Sequence, residues 1–241
     1  MTEEEKRQKA VQPPEVHRME GELRVCDPET TDHTKDMEAW RILKIMDELS
    51  EGFKTVRKYK LAVTFFGSAR STMTSKVYED TTRLAHMLSK SGFTVITGGA
   101  GGIMEAANKG AHEAKGQSVG FNIKLNTEQE PNRYLTDVTT FNYFFSRKVM
   151  LAFASELYIY FPGGFGTLDE LFEILTLVQT NKIKRIPIIL YGKEFWTPLI
   201  DFIENTMLLK YQTIDKDDLN LFRVVDSPEE AYEMALELVK C

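Results

Sequence analysis

Residues 156–161, Glu-Leu-Tyr-Ile-Tyr-Phe, run directly into Pro162-Gly163-Gly164-Phe165-Gly166-Thr167 and then into Leu168-Asp169-Glu170. The first six form an apolar run of strand length, the next six a proline- and glycine-rich turn. Residues 168–181 then carry helical periodicity. Strand, glycine turn, helix is the unit of a parallel sheet, and the same unit recurs on both sides. Upstream, residues 61–66 (LAVTFF) lead into Gly67-Ser68-Ala69-Arg70 and a helix over 76–91, and residues 93–97 (FTVIT) lead into Gly98-Gly99-Ala100-Gly101-Gly102 and a helix over 103–115. Residues 117–123 form a further strand, 137–141 a short one, and 142–154 a helix. Downstream come a strand at 186–190, a helix at 195–207, a strand at 221–225 and a helix at 228–240.

Alternating strands and helices imply a parallel sheet with helices on both faces. The strands are continuous apolar runs, which suits burial on both sides. The fold class expected is α/β, a Rossmann-like doubly wound parallel sheet. Such sheets bind ligands beyond the carboxyl ends of their strands, and three strands here end in glycine-bearing loops, at Gly67, at Gly98–Gly102 and at Gly163–Gly166.

Composition narrows the function classes. The chain has 241 residues, 42% of them hydrophobic, enough for a substantial core. Its net charge of -6 argues against a general nucleic-acid binder, which wants a basic surface. Cys26 and Cys241 build neither a disulfide framework nor a zinc site. His17, His33, His86 and His112 show no metal-ligand spacing, so no metal and no cofactor are expected. No apolar run reaches the length of a membrane span and the N-terminus lacks a signal-peptide core, so a cytoplasmic protein away from membranes is expected. Residues 1–33 are charged and carry Pro13, Pro14 and Pro28, and read as a mobile tail; residues 34–241 read as one Rossmann-like domain with an N-terminal helix. That helix, over 36–59, has an apolar stripe through Met37, Trp40, Ile42, Leu43, Met46, Leu49 and Phe53.

The glycine loops invite an anion. Backbone N–H groups at a helix N-terminus point at negative charge, and glycine lets a ligand approach closely. The loop at 98–102 is not the dinucleotide fingerprint, and two readings stay open: an anion cradle, or a tight turn that lets helix and sheet approach. In the loop at 162–167, Thr167 is placed to cap the following helix while its hydroxyl meets a phosphate. Asp169 and Glu170 then fall in the first turn, where they either suit the helix dipole or serve acid–base chemistry or ribose binding. Arg147 and Lys148 lie early in the helix before the strand 156–161, over that strand's carboxyl end. Cations there oppose the dipole; a ligand phosphate or Glu170 would rationalise them, and a solvated surface pair is the bland alternative. Ser68 can hydrogen-bond a ligand, but no base and orienter accompany it as a nucleophile. Phe141, Tyr143, Phe144 and Phe145 read as core or subunit interface. The P-loop pattern is absent.

Ser146-Arg147-Lys148-Val149-Met150-Leu151, followed by Pro162-Gly163-Gly164-Phe165-Gly166-Thr167-Leu168-Asp169-Glu170, resembles the LONELY GUY family of cytokinin riboside 5′-monophosphate phosphoribohydrolases. The paired signatures are R-K-x-x-M and P-G-G-x-G-T-x-x-E; the second is complete, and Leu151 stands where the first has Met. FFGSAR, TGGAGGIMEAANKGA and the NTEQEPNRY loop look like the longer bacterial branch, and the likeness covers about three quarters of the chain. The resemblance implies hydrolysis of the N-glycosidic bond of a nucleoside 5′-monophosphate, AMP or a cytokinin riboside monophosphate, to free base and ribose 5-phosphate. It implies Arg147 and Glu170 as the catalytic pair. Gly163, Gly164, Gly166 and Thr167 would hold the 5′-phosphate with Lys148, and Gly98 and Gly99 would line the nucleotide. It also implies a homodimer or larger homo-oligomer. Members often carry the label lysine decarboxylase, which no lysine in a pyridoxal-phosphate context supports here. Besides Leu151, which is expected to affect packing only, the chain lacks the His that many short members carry shortly before R-K, and reads GGAGG where long-branch members more often show GGGPG. A non-catalytic nucleotide sensor on the same fold is the alternative. The pairing of Arg147 with Glu170 argues against it, because phosphate binding needs no carboxylate.

Overall fold

The computed structural model describes residues 35–70, 75–125 and 130–239. The expected tail at 1–33, with Cys26, His17 and His33, lies outside the described residues, as do Cys241 and part of the NTEQEPNRY loop. The chain divides into two units, 1–41 and 42–241, and every strand belongs to the second.

In chain order the elements are α1 (Lys35–Val56), β1 (Ala62–Phe66), α2 (Ser75–Lys90), β2 (Thr94–Thr97), α3 (Ile103–Glu113), β3 (Ser118–Ile123), β4 (Asp137–Phe141), α4 (Phe144–Ala152) and β5 (Leu157–Tyr160). Then follow α5 (Phe165–Gln179), β6 (Ile188–Tyr191), α6 (Lys193–Asp201), a π-helical segment (Phe202–Lys210), a 3-10 turn (Lys216–Asn220), β7 (Arg223–Val225) and α7 (Pro228–Leu238). The seven strands are all parallel, in the order β4-β3-β2-β1-β5-β6-β7. The doubly wound fold expected from the sequence is the fold observed.

Alternation along each strand feeds two cores. Val63 and Phe65 of β1 and Leu157 and Ile159 of β5 point to one face, where Leu84, Leu88, Ile103, Ala107 and Ala231 of α2, α3 and α7 cover them. Phe66, Tyr158 and Tyr160 point to the other, under Met150 and Leu151 of α4, Leu171 and Ile174 of α5, and Trp196 of α6. Each large side chain so buried stabilises the fold by roughly 1.5–3 kcal/mol. Within 42–241, Leu49, Phe53 and Val56 of α1 pack on this second face, whereas Ile42, Leu43 and Met46 stay exposed. The apolar stripe expected on this helix is therefore only partly an inward face.

Two helices depart from expectation. The helix expected at 168–181 begins three residues earlier, because Gly164 takes an extended conformation (φ -93°, ψ -158°) and serves as the N-cap itself. The helix expected at 195–207 spans α6 and a π-helical continuation, with Pro198 inside α6. Proline lacks the N–H that would bond back to the preceding turn, which loosens the regular ladder there. Among the described residues, no helix is long and apolar enough to cross a membrane.

Candidate active site at the switch point of the sheet

The chain leaves β1 in opposite directions, toward β2 and toward β5, so the sheet's topological switch point lies between β1 and β5. There the two outgoing loops diverge and leave a crevice. Backbone bonds tie the loops at its base: Ser68 donates to the Pro162 carbonyl at 3.1 Å and Phe161 to Phe66 at 2.8 Å. Above them opens a cavity of about 310 Å³. This is at the small end of the range for ligand pockets.

Two helix faces wall the cavity. From α4 come Phe144, Arg147 and Leu151, and from α5 Gly166, Thr167 and Glu170. These are three- and four-residue spacings, the rule for side chains that share one helix face. Gly67 and Ser68 contribute from the β1 loop, Gly98 from the β2 loop, and Ile123 and Leu125 from the end of β3. Of the expected site residues, Ser68, Gly98, Arg147, Gly164, Gly166, Thr167 and Glu170 are thus gathered on one cavity.

Glu170 is 4% exposed, and its Oε2 has no hydrogen-bond partner among the described residues. Burial pushes its carboxyl up to about 7, against the pull of Lys148 and Arg147 and with the push of Glu173 and Asp169. Because α5 starts at Phe165, Asp169 and Glu170 lie beyond its first turn, which holds no acid. The helix-dipole reading of these acids therefore does not apply, since that effect fades past the first turn. Tyr160, beneath α5, donates its hydroxyl to the Glu170 backbone carbonyl at 3.3 Å.

Arg147 stands early in α4, as expected, with its guanidinium carbon 5.3 Å from the centre of the Phe144 ring. Burial lowers its pKa, with Glu170 and Asp169 opposing. Its Nε has no hydrogen-bond partner among the described residues. A buried cation and a buried carboxylate that line one cavity, each with a polar atom lacking a partner among the described residues, suit a polar ligand.

Lys148, Gly99 and Gly163 sit off the cavity. Lys148 follows Arg147 by one residue, and neighbours on a helix do not share a face. Its ammonium meets Asp169 at 2.6 Å and Glu173 at 3.3 Å, pinning α4 to α5. Burial draws its pKa down, but Asp169, Glu170 and Glu173 outweigh that and leave it raised. Gly99 has a φ of +73°, and a Cβ there would stand 3.3 Å from the Gly120 Cα. At Gly102, with a φ of +65°, a Cβ would run into the Ser68 carbonyl. The loop at 98–102 thus packs its backbone closely on the β1 loop and β3, and of its glycines Gly98 lines the cavity. Gly163 lies under the Thr167 side chain. Thr167 is not the cap expected of it: it lies inside α5, and Gly164 caps the helix.

Phe144, expected in the core or an interface, and Leu151, expected to affect packing only, both line the cavity. Their i−3 and i+4 spacing from Arg147 is the signal that could have found them. Phe141 is core as expected, while Phe145 is half exposed.

Residues 104–235 match the family model described as "Possible lysine decarboxylase". The cytokinin riboside 5′-monophosphate phosphoribohydrolase of Oryza sativa subsp. japonica is 26% identical over 184 residues, covering 75% of this chain and 73% of that protein. The enzyme of the same name from Rhodococcoides fascians is 26% identical over 147 residues, covering 60% and 74%. Among solved structures, a molybdenum cofactor binding protein from Rippkaea orientalis superposes with a TM-score of 0.58 at 20% identity, over 75% of this chain and 99% of that one. The last of these likenesses concerns the fold.

Proposed function

The chain belongs to the LONELY GUY family, the one whose model is described as "Possible lysine decarboxylase", and we propose that it is a nucleoside 5′-monophosphate phosphoribohydrolase acting on AMP or a cytokinin riboside monophosphate. The observation that carries this reading is Glu170: a buried carboxyl raised to about 7, with one free oxygen, on a cavity that opens at a glycine-rich helix N-terminus.

The chemistry follows from these groups. The first N–H groups of α5, at Phe165 and Gly166, have no partner within the helix and face the dipole's positive end. They receive the 5′-phosphate, with the Thr167 hydroxyl beside them. Phosphate held there fixes the ribose, and its binding energy positions C1′ against Glu170. As the C1′–N bond breaks, the ribose gains oxocarbenium character, which an ionised carboxylate stabilises. Water gives its oxygen to C1′ and a proton to Glu170; the base leaves with the bonding electron pair and takes a proton from solvent. Arg147 engages phosphate or ribose oxygens with a planar, permanently charged fork. Phe66, Ile123, Leu125 and Phe144 supply an apolar wall suited to the base. Lys148 supports the site indirectly, as the tie between α4 and α5. Decarboxylation of lysine has no comparable support, because the residues lining the cavity include no lysine to carry an aldehyde cofactor.

The assembly belongs to the same proposal. Phe144, Phe145 and Phe165 leave half or more of their surface exposed at the N-terminal ends of α4 and α5, Phe165 as much as 93%. Apolar patches of this kind mark subunit contacts, and we propose a homodimer or larger homo-oligomer. Sedimentation should give a mass at least twice that of one chain; a monomer at micromolar concentration would contradict it.

The activity is tested by chromatography of the wild type with AMP, isopentenyladenosine monophosphate and adenosine. Equimolar base and ribose 5-phosphate should appear from the monophosphates and no base from adenosine. Tight AMP binding without base release would favour the non-catalytic reading.

A further inference from the structure

α4 carries Arg147, yet nothing in α4 caps it. Its N-cap residue is Tyr143, which offers no side-chain cap bond, and its first turn holds no acid. A helix beginning this way leaves donors unsatisfied and places the Arg147 cation near a positive dipole end.

The missing acceptor comes from elsewhere in the chain. Glu48, on α1 and 7% exposed, accepts hydrogen bonds from the Asn142 backbone N–H and side-chain amide, both at 2.8 Å on Oε1. Its Oε2 accepts from the Tyr143 N–H at 3.4 Å. A buried carboxylate thus meets the N–H of the cap residue Tyr143 and that of Asn142 just before it, and brings negative charge to a helix end that lacks it. Charged acceptors of this kind are stronger and more directional than neutral ones. Arg147 lies one turn further on, and its own N–H bonds back to the Tyr143 carbonyl at 3.3 Å. The carboxylate, the cap residue and Arg147 therefore form one continuous chain of bonds.

We infer that Glu48 is a positioning residue for Arg147: its carboxylate caps α4 from α1 and fixes where the guanidinium stands over the cavity. The inference deepens the hydrolase reading and rests on it for its kinetic consequence. Through this contact α1 becomes part of the site's support, although it supplies no residue to the cavity wall.

The test compares Glu48→Ala, Glu48→Gln and Thr55→Ala. Thr55 also lies on α1, where its hydroxyl bonds that of Thr139 at 2.9 Å, so its loss loosens the same helix without touching α4. At saturating AMP, kcat of Glu48→Ala should fall about tenfold, since small misplacements of a catalytic group are costly. Glu48→Gln keeps an oxygen for the Asn142 donors but loses the charge and the acceptor for Tyr143, so it should recover only part of that loss, while Thr55→Ala stays close to wild type. Hydrogen exchange reads the same contact without turnover: the amides of residues 142–145 should exchange faster in Glu48→Ala and not in Thr55→Ala. Unchanged kcat in Glu48→Ala, or an equal loss in Thr55→Ala, would overturn the inference. A wild type that releases no base would overturn the hydrolase reading alone. Amide exchange and AMP affinity of the Glu48 variants would then decide the role of Glu48, and no change in either would overturn it.

Discussion

Glu170 sets activity and stability against each other. A carboxyl raised from its ordinary value to about 7 is easier to protonate folded than unfolded. The folded state therefore binds more protons between the two values, and stability falls as pH rises through that window. The penalty is fully present above pH 7 and amounts to roughly 3 kcal/mol. Glu170→Gln, which cannot ionise, should not lose stability over this range. Denaturant titrations at pH 5 and pH 8 should show the wild type weaker at pH 8 and the variant nearly level; a wild type equally stable at both would contradict the burial argument. Arg147→Lys keeps the charge but not the planar fork, so it should not restore an Arg147→Ala loss in kcat/KM; full restoration would show that charge alone is needed. At this scale the sequence was readable where chemistry and spacing agreed. Glu170 stood out as an acid that a phosphate site does not need. Lys148 shares the charge of Arg147 but not its helix face, and its side chain meets Asp169 and Glu173. Glu48 left no local trace, because its partner Asn142 lies 94 residues away.

Elements bring these residues together, and their ends proved harder to read than their middles. The start of α5 was expected at Leu168 because glycine ordinarily breaks helices. Here Gly164 caps and Gly166 lies in the first turn, where the absence of side chains leaves room above the cavity. The turn at 98–102 was ambiguous in the sequence, since an anion cradle and a close-packed turn ask for the same glycines. Positive φ at Gly99 and Gly102, and the backbone that a Cβ would meet there, show the close packing of this turn. Gly102→Ala should accordingly cost about 2 kcal/mol or more, combining a left-handed backbone with a clash against the Ser68 carbonyl. Chemical denaturation measures this, and a cost near zero would mean the β1 loop yields freely. The tie between α4 and α5 should be modest. Asp169 is largely exposed, and a double-mutant cycle on Lys148 and Asp169 should give a coupling of about 0.5–1 kcal/mol.

For the molecule as a whole, the alternation of apolar runs with helical periodicity sufficed for a doubly wound sheet, because strands covered on both faces present no polar face to solvent. The order of the strands was not legible from those runs. It follows from how crossovers pack, and it sets β2, β1 and β5 side by side. That neighbourhood brings three glycine-bearing loops, far apart in the chain, to one crevice. The most direct test of the whole account is the rate of base release from AMP between pH 5.5 and 8.5, for the wild type and Glu170→Gln. With an ionised Glu170 required, wild-type kcat/KM should fall as pH drops through about 7. The variant should be slower by about 10²–10⁴ and lack that limb. A variant as fast as the wild type, or a wild-type rate indifferent to pH across this range, would contradict the account.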